Sequence, residues 1–176
     1  MRSVASFFVS RVDTETDKRL EALNKPAITK PLMGTAAVAN AKLAYRKYTE
    51  HFEGRRFRTL MGKGAAVQRP LWASTGTKNP AYPDTKYVDE LIGPDTVNTI
   101  PPATLEAFAD HGTVDRVVDR DVDQAGRQLA AIEALGISLK DVTEFLVKDG
   151  VKKFADSFTA LLVAVDQKRV KLAGVS

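Results

Sequence analysis

The sequence has 176 residues, of which 44% are hydrophobic and 27% charged, with a formal net charge of +4 and no cysteine. That composition suits one folded domain with a sizeable core and excludes wholesale disorder, a disulfide framework, a thiolate metal site and a cysteine nucleophile. His51 and His111 are far apart and lack companions at metal-ligand spacing. No apolar run reaches the roughly 18 residues of a membrane span.

Ser3 to Val9 is short, β-rich and apolar, which predicts a strand buried on both faces. Alternation puts Val4, Ser6 and Phe8 on one side and Ala5, Phe7 and Val9 on the other. The stretch is too short and too interrupted by serine for a secretion signal, so the cytoplasm is the expected compartment. Asp13-Thr14-Glu15-Thr16-Asp17 followed by Lys18-Arg19-Leu20 reads as a helix start, with acids ahead of cations, and Pro26 as its stop. After Gly34-Thr35, the positions Ala37, Val38, Ala41, Tyr45 and Tyr48 recur at threes and fours and predict an amphipathic helix. A further short helix is expected from Phe52 to Lys63.

Arg69 to Ser74 is the second strand candidate, opened by Pro70, and it leads into the polar loop Thr75-Gly76-Thr77-Lys78-Asn79-Pro80. A short helix is expected from Tyr82 to Leu91 and a third strand from Asp95 to Ile100. Pro101-Pro102 then opens a helix to about Asp110. The remainder reads as helices, one from Asp121 to Leu135 and one behind Ser138-Leu139-Lys140-Asp141, with a break at Asp149-Gly150. Strands alternating with helices predict an α/β fold with parallel strands and crossover helices. Three strands are too few to close a barrel.

Functional groups of α/β folds gather beyond the carboxyl ends of their strands. The first end offers Ser6, Phe8, Ser10 and Arg11; the second Ser74, Thr75, Gly76 and Lys78; the third Asn98 and Thr99. Hydroxyls beside a guanidinium and an ammonium suit a phosphorylated or anionic small molecule. Two bland readings stay open beside this one: Arg11 pairs with Asp13, and Lys78 is a loop charge. The basic residues from Arg46 to Arg69 read as a solvated helix face before they read as a nucleic-acid surface. No phosphate-loop or dinucleotide fingerprint occurs.

The segments Ser3–Asp13 (SVASFFVSRVD), Arg69–Pro80 (RPLWASTGTKNP), Tyr82–Val88 (YPDTKYV) and Thr96–Pro101 (TVNTIP) resemble, in order, the transaldolases of the longer bacterial branch. The likeness runs through the terminal helices. It implies an (α/β)8 barrel that transfers a dihydroxyacetone unit between sugar phosphates in the pentose phosphate pathway, through a lysine Schiff base and without a cofactor or metal. By the resemblance Ser6 contacts the sugar, Phe8 lines the site and Arg11 binds the substrate phosphate. Lys78 stands where other transaldolases carry a second phosphate-binding arginine, and Ser74 is assigned to the same pocket.

The resemblance also accounts for the strand count. It makes residues 1–176 the carboxyl-terminal part of a TIM barrel. Strands six to eight and their crossover helices fall in residues 1–115, and the terminal helices in 116–176. The Schiff-base lysine would lie upstream, so that the chain alone is expected to be inactive. Expected partners are sugar phosphates and either the missing amino-terminal half or a second copy meeting an exposed sheet edge, with no nucleic acid and no membrane. The competing readings are a non-catalytic phosphate-binding or interaction module, and half of a split enzyme.

Overall fold

Ser3–Phe8 forms the first strand, β1, and the very next residue starts helix α1, Val9–Ala22. The structure, a computed structural model, describes residues 2–174. After α1 come α2 (Pro26–Thr29), a 3-10 turn at Lys30–Leu32, α3 (Ala36–Phe52) and α4 (Arg55–Met61). Strand β2 (Gln68–Ala73), the short α5 (Lys86–Asp89), β3 (Val97–Asn98), α6 (Pro102–His111) and α7 (Val122–Ala134) follow. The chain divides after Leu139 into two compact units, and helix α8 (Leu139–Leu172) makes up nearly all of the described residues of the second.

The three strands are parallel and lie side by side in chain order, β1-β2-β3. Consecutive parallel strands without reversal are the order of a barrel segment, and equally of one half of a doubly wound sheet. The register pairs Ser6 with Leu71, Phe7 with Trp72, Phe8 with Ala73, and Leu71 with Val97. Pro70 sits inside β2 opposite Ala5 and not at its first residue.

One side of this sheet carries the core. Phe7 meets Trp72 at 5.5 Å between ring centroids, and the buried Trp72 donates its indole N–H to the Leu91 carbonyl at 3.2 Å. Covering an indole of this size is worth roughly 4–6 kcal/mol by transferred area, an upper figure because the unfolded chain is already partly compact. Helix α1 buries Val9, Val12, Thr16 and Leu20, and α3 buries Ala37, Val38, Ala41 and Tyr45, each at helical spacing.

The expectation of a strand buried on both faces fails on the other side. Val4, Ser6 and Phe8 are exposed, because no layer covers that face of β1 among the described residues. The expected helix start at Asp13 is also corrected. The backbone turns helical at Val9, where the Ser10 amide donates to the Ser74 carbonyl at 3.1 Å, so Asp13 and Asp17 lie well inside α1. The helix expected from Tyr82 to Leu91 shrinks to α5, and the third strand to two residues.

In the second unit α8 runs through Asp149-Gly150 without the expected break. A lone helical glycine costs only about 1 kcal/mol, and the i,i+4 pair of Lys153 with Asp149 spans the site at 2.6 Å. Val147, Val151, Phe154, Phe158, Leu161 and Val165 of α8 are exposed. No helix among the described residues is long and apolar enough to cross a membrane.

Candidate functional site

Side-chain hydrogen bonds tie together the carboxyl ends of all three strands. The Ser10 and Ser74 hydroxyls share a hydrogen bond at 3.0 Å, joining the end of β1 to the end of β2. Buried Thr75 donates its hydroxyl to the Asn98 side-chain oxygen at 2.8 Å, joining β2 to β3, and the Thr99 amide donates to the Trp72 carbonyl at 3.0 Å. Ser74 holds a left-handed backbone, φ 57°, at the point where β2 breaks into its loop. That conformation costs a non-glycine residue on the order of 1 kcal/mol, and the two contacts to Ser10 offset it. Ser10, Thr75 and Asn98, read in the sequence as possible ligands, fasten the strand ends to one another.

Ser6 and Phe8 lie on the open face of β1, as the alternation requires. Arg11 belongs to the first turn of α1 and not to the strand, and its guanidinium lies 4.9 Å from the centre of the Phe8 ring. It makes no ion pair with Asp13, whose carboxylate is turned inward to other partners. An exposed guanidinium over a ring is held by about 0.5–1 kcal/mol, enough to bias its direction while leaving its fork of donors free for an anion.

Lys78 is exposed and lines a cavity of about 200 Å³ with Lys18, Asn79, Tyr82 and the three acids Asp13, Asp17 and Glu21 of α1. Arg11 is not part of that lining. Arg11 and Phe8 are therefore in contact, with Ser6 on the same face of β1, the Ser10–Ser74 hydrogen bond joins the strand ends, and Lys78 lies in a separate cavity against α1.

The sequence reading missed a buried cluster behind these groups. Asp13 and Asp17 share one face of α1 and are both buried. Asp13 accepts the Ala37 amide at 2.7 Å and the Tyr87 hydroxyl at 2.8 Å. Asp17 accepts the Gly34 amide at 2.9 Å and the Tyr82 hydroxyl at 2.7 Å. Asp13 thereby satisfies an open N–H in the first turn of α3 from a different helix, the service an N-cap side chain usually performs locally. Burial pushes the Asp13 carboxyl up to about 6, against the opposing pull of the Ala37 and Tyr87 hydrogen bonds. Both tyrosine hydroxyls are pushed up, first by burial and then by the neighbouring carboxylates. The one signal for this cluster in the sequence is the four-residue spacing of two aspartates, which a helix start explains equally well.

His111, the other feature with chemistry, bridges Asp84 at 2.9 Å and Asp110 at 3.1 Å on the surface. The hydrogen bond to Asp84, and then that to Asp110, raises its pKa. Among the described residues no serine partners it, and its bridge to Asp84 ties the end of α6 to the loop before α5. Among the described residues no group of three or more His, Cys, Asp or Glu is arranged to hold a metal.

Comparison with known proteins places this geometry in a lineage. The family model described as Transaldolase/Fructose-6-phosphate aldolase matches residues 1–165. The chain is 54% identical over 163 residues to a transaldolase of Renibacterium salmoninarum, covering 92% of this chain and 43% of the relative. It is 51% identical over 169 residues to a transaldolase of Frankia alni, covering 96% of this chain and 45% of that protein. Against Transaldolase 1 of Streptomyces coelicolor the identity is 54% over 166 residues, with 94% and 43% covered. The chain thus spans less than half the length of these curated relatives. It belongs to the transaldolase/fructose-6-phosphate aldolase family.

Proposed function

We propose that these 176 residues supply the sugar-phosphate-binding side of a transaldolase, an enzyme that transfers a dihydroxyacetone unit between sugar phosphates. In this reading β1, β2 and β3 are the sixth, seventh and eighth strands of a (β/α)8 barrel, residues 1–115 carry them, and residues 116–176 are its terminal helices. The observation that carries it is the convergence of a family match over residues 1–165 with an exposed Ser6-Phe8-Arg11 group at the end of β1.

Arg11 grips the substrate phosphate with its planar fork, and Phe8 walls the sugar while fixing the guanidinium. Ser6, two residues back on the same face, offers its hydroxyl to the sugar. Ser74 holds the adjoining strand end, and Lys78 adds a second positive charge. The lysine that forms the Schiff base comes from outside these residues, in an amino-terminal barrel half that also covers the bare face of β1. The setting is the cytoplasm, and no cofactor takes part.

Borohydride reduction in the presence of fructose 6-phosphate tests the reading. The chain alone is expected to give no covalent adduct. Mixed with the amino-terminal part of the Renibacterium relative, it is expected to give an adduct on that part, with trapping lowered at least tenfold by Arg11→Ala. Adduct formation indifferent to Arg11→Ala would contradict the assignment. A chain that binds the sugar phosphate and never supports trapping would point to a non-catalytic binding module.

A further inference from the structure

The loop that carries Lys78 is pinned at three points. The Thr77 hydroxyl donates to the Pro83 carbonyl at 2.8 Å and so closes the loop on itself. On the other side of Lys78, Asn79 accepts the Tyr82 amide on its carbonyl at 3.1 Å and the Ala81 amide on its side chain at 2.9 Å. Lys78 is the residue between these two internal closures.

The third pin fastens the loop to the rest of the fold. Tyr82 donates to Asp17 at 2.7 Å, and its ring lies so close over Gly34 that a Cβ there would stand 2.7 Å from the ring. The second oxygen of Asp17 holds the Gly34 amide at 2.9 Å. Asp17 thus gathers the loop and the entry to α3 onto α1, the same helix whose first turn carries Arg11. A hydrogen bond to a buried carboxylate is among the stronger neutral-to-charged contacts and fixes direction as well as distance.

We infer that Tyr82 and Asp17 are positioning residues that set the Lys78 ammonium relative to the Arg11 guanidinium, and so tune the affinity of the site for a phosphorylated sugar. The inference rests on the reading of Arg11 and Lys78 as the anion ligands. Helix α1 acts as the ruler between the two cations, and the Tyr82–Asp17 contact fixes where Lys78 falls along it. Both residues line the cavity beside Lys78 and act through the position they give its loop. Tyr82→Phe keeps the ring over Gly34 and removes only the hydroxyl, which makes it the sharpest probe.

The test is a double-mutant cycle on the 176-residue chain, with fructose 6-phosphate as the probe and Kd read from amide NMR titrations. Tyr82→Phe is expected to raise Kd about fivefold when Lys78 is present and to change it by less than about 1.5-fold in a Lys78→Met background. Equal weakening in both backgrounds, or none in the first, overturns the inference and leaves the anion reading standing. An unchanged Kd for Lys78→Met overturns both. Should Tyr82→Phe fail to fold, Asp17→Asn takes its place in the cycle. It keeps an oxygen for the Gly34 amide but offers Tyr82 no charged acceptor.

Discussion

Asp13 reaches out of the middle of α1 to accept the Ala37 amide in the first turn of α3, at 2.7 Å. That one bond joins the helix behind β1 to the helix that crosses toward β2, and Tyr87 locks it from α5 at 2.8 Å. Removing the carboxylate leaves a buried amide and a buried phenol without a partner. At pH 7, above the folded pKa of Asp13, Asp13→Ala is expected to destabilise the fold by about 3 kcal/mol, read as a shift of the urea midpoint, and Asp13→Asn by less than about 1. Equal losses for the two variants would contradict the capping role.

The same carboxyl sets a pH dependence. Its pKa is raised in the folded state, so its contribution to stability is fully present below the unfolded value and is lost as pH rises through the folded one. The gap between 3.8 and about 6 corresponds to on the order of 3 kcal/mol. Relative to wild type, Asp13→Asn is therefore expected to look worst near pH 4 and to gain ground up to about pH 6.5. Urea unfolding of both proteins at intervals across that range checks the sign. A gap between the two that does not change with pH would show that Asp13 keeps an ordinary pKa.

Gly34 has a left-handed backbone, φ +69°, and the Tyr82 ring occupies the space a side chain would need. Gly34→Ala meets both the conformational cost and the clash, and about 2–3 kcal/mol of lost stability is expected. Because the ring must shift, the Tyr82 hydroxyl should also leave Asp17. The sign to look for is a phenol that titrates closer to the ordinary tyrosine range than it does in wild type.

His111 offers a check on the surface geometry. Its two carboxylate neighbours raise its pKa, so the stability they lend is present below the unfolded histidine value and fades as pH rises through the folded one. The NMR titration midpoint of His111 is expected above 6.5, the ordinary value, and Asp84→Asn is expected to lower it. A midpoint unmoved by Asp84→Asn would mean that the bridge does not persist in solution.

How far the sequence reveals this structure differs from one residue to the next. Alternation alone puts Ser6 and Phe8 on one face, because a strand has period two whatever surrounds it. The boundaries of α6 and α7 follow from Pro101-Pro102, His111-Gly112 and Gly136, which act locally. The start of α1 does not. Asp13 to Asp17 would cap a helix well, yet the helix already begins at Val9 because the Ser10 amide finds the Ser74 carbonyl, 64 residues away. Once the start moves, the acids fall on the buried face and take partners from α3, α5 and the Lys78 loop. No local pattern encodes those partners. The same holds for Arg11, whose place over Phe8 depends on the chain turning helical without a loop.

If the carboxyl end of β1 is built for a phosphorylated sugar, a titration of the chain with fructose 6-phosphate shows it most directly. Saturable binding is expected, with amide shifts centred on Ser6, Phe8 and Arg11, and Arg11→Ala should weaken it at least tenfold, the loss of one bidentate charge-assisted contact. Binding of equal strength in Arg11→Ala, or shifts confined to α8, would contradict the account.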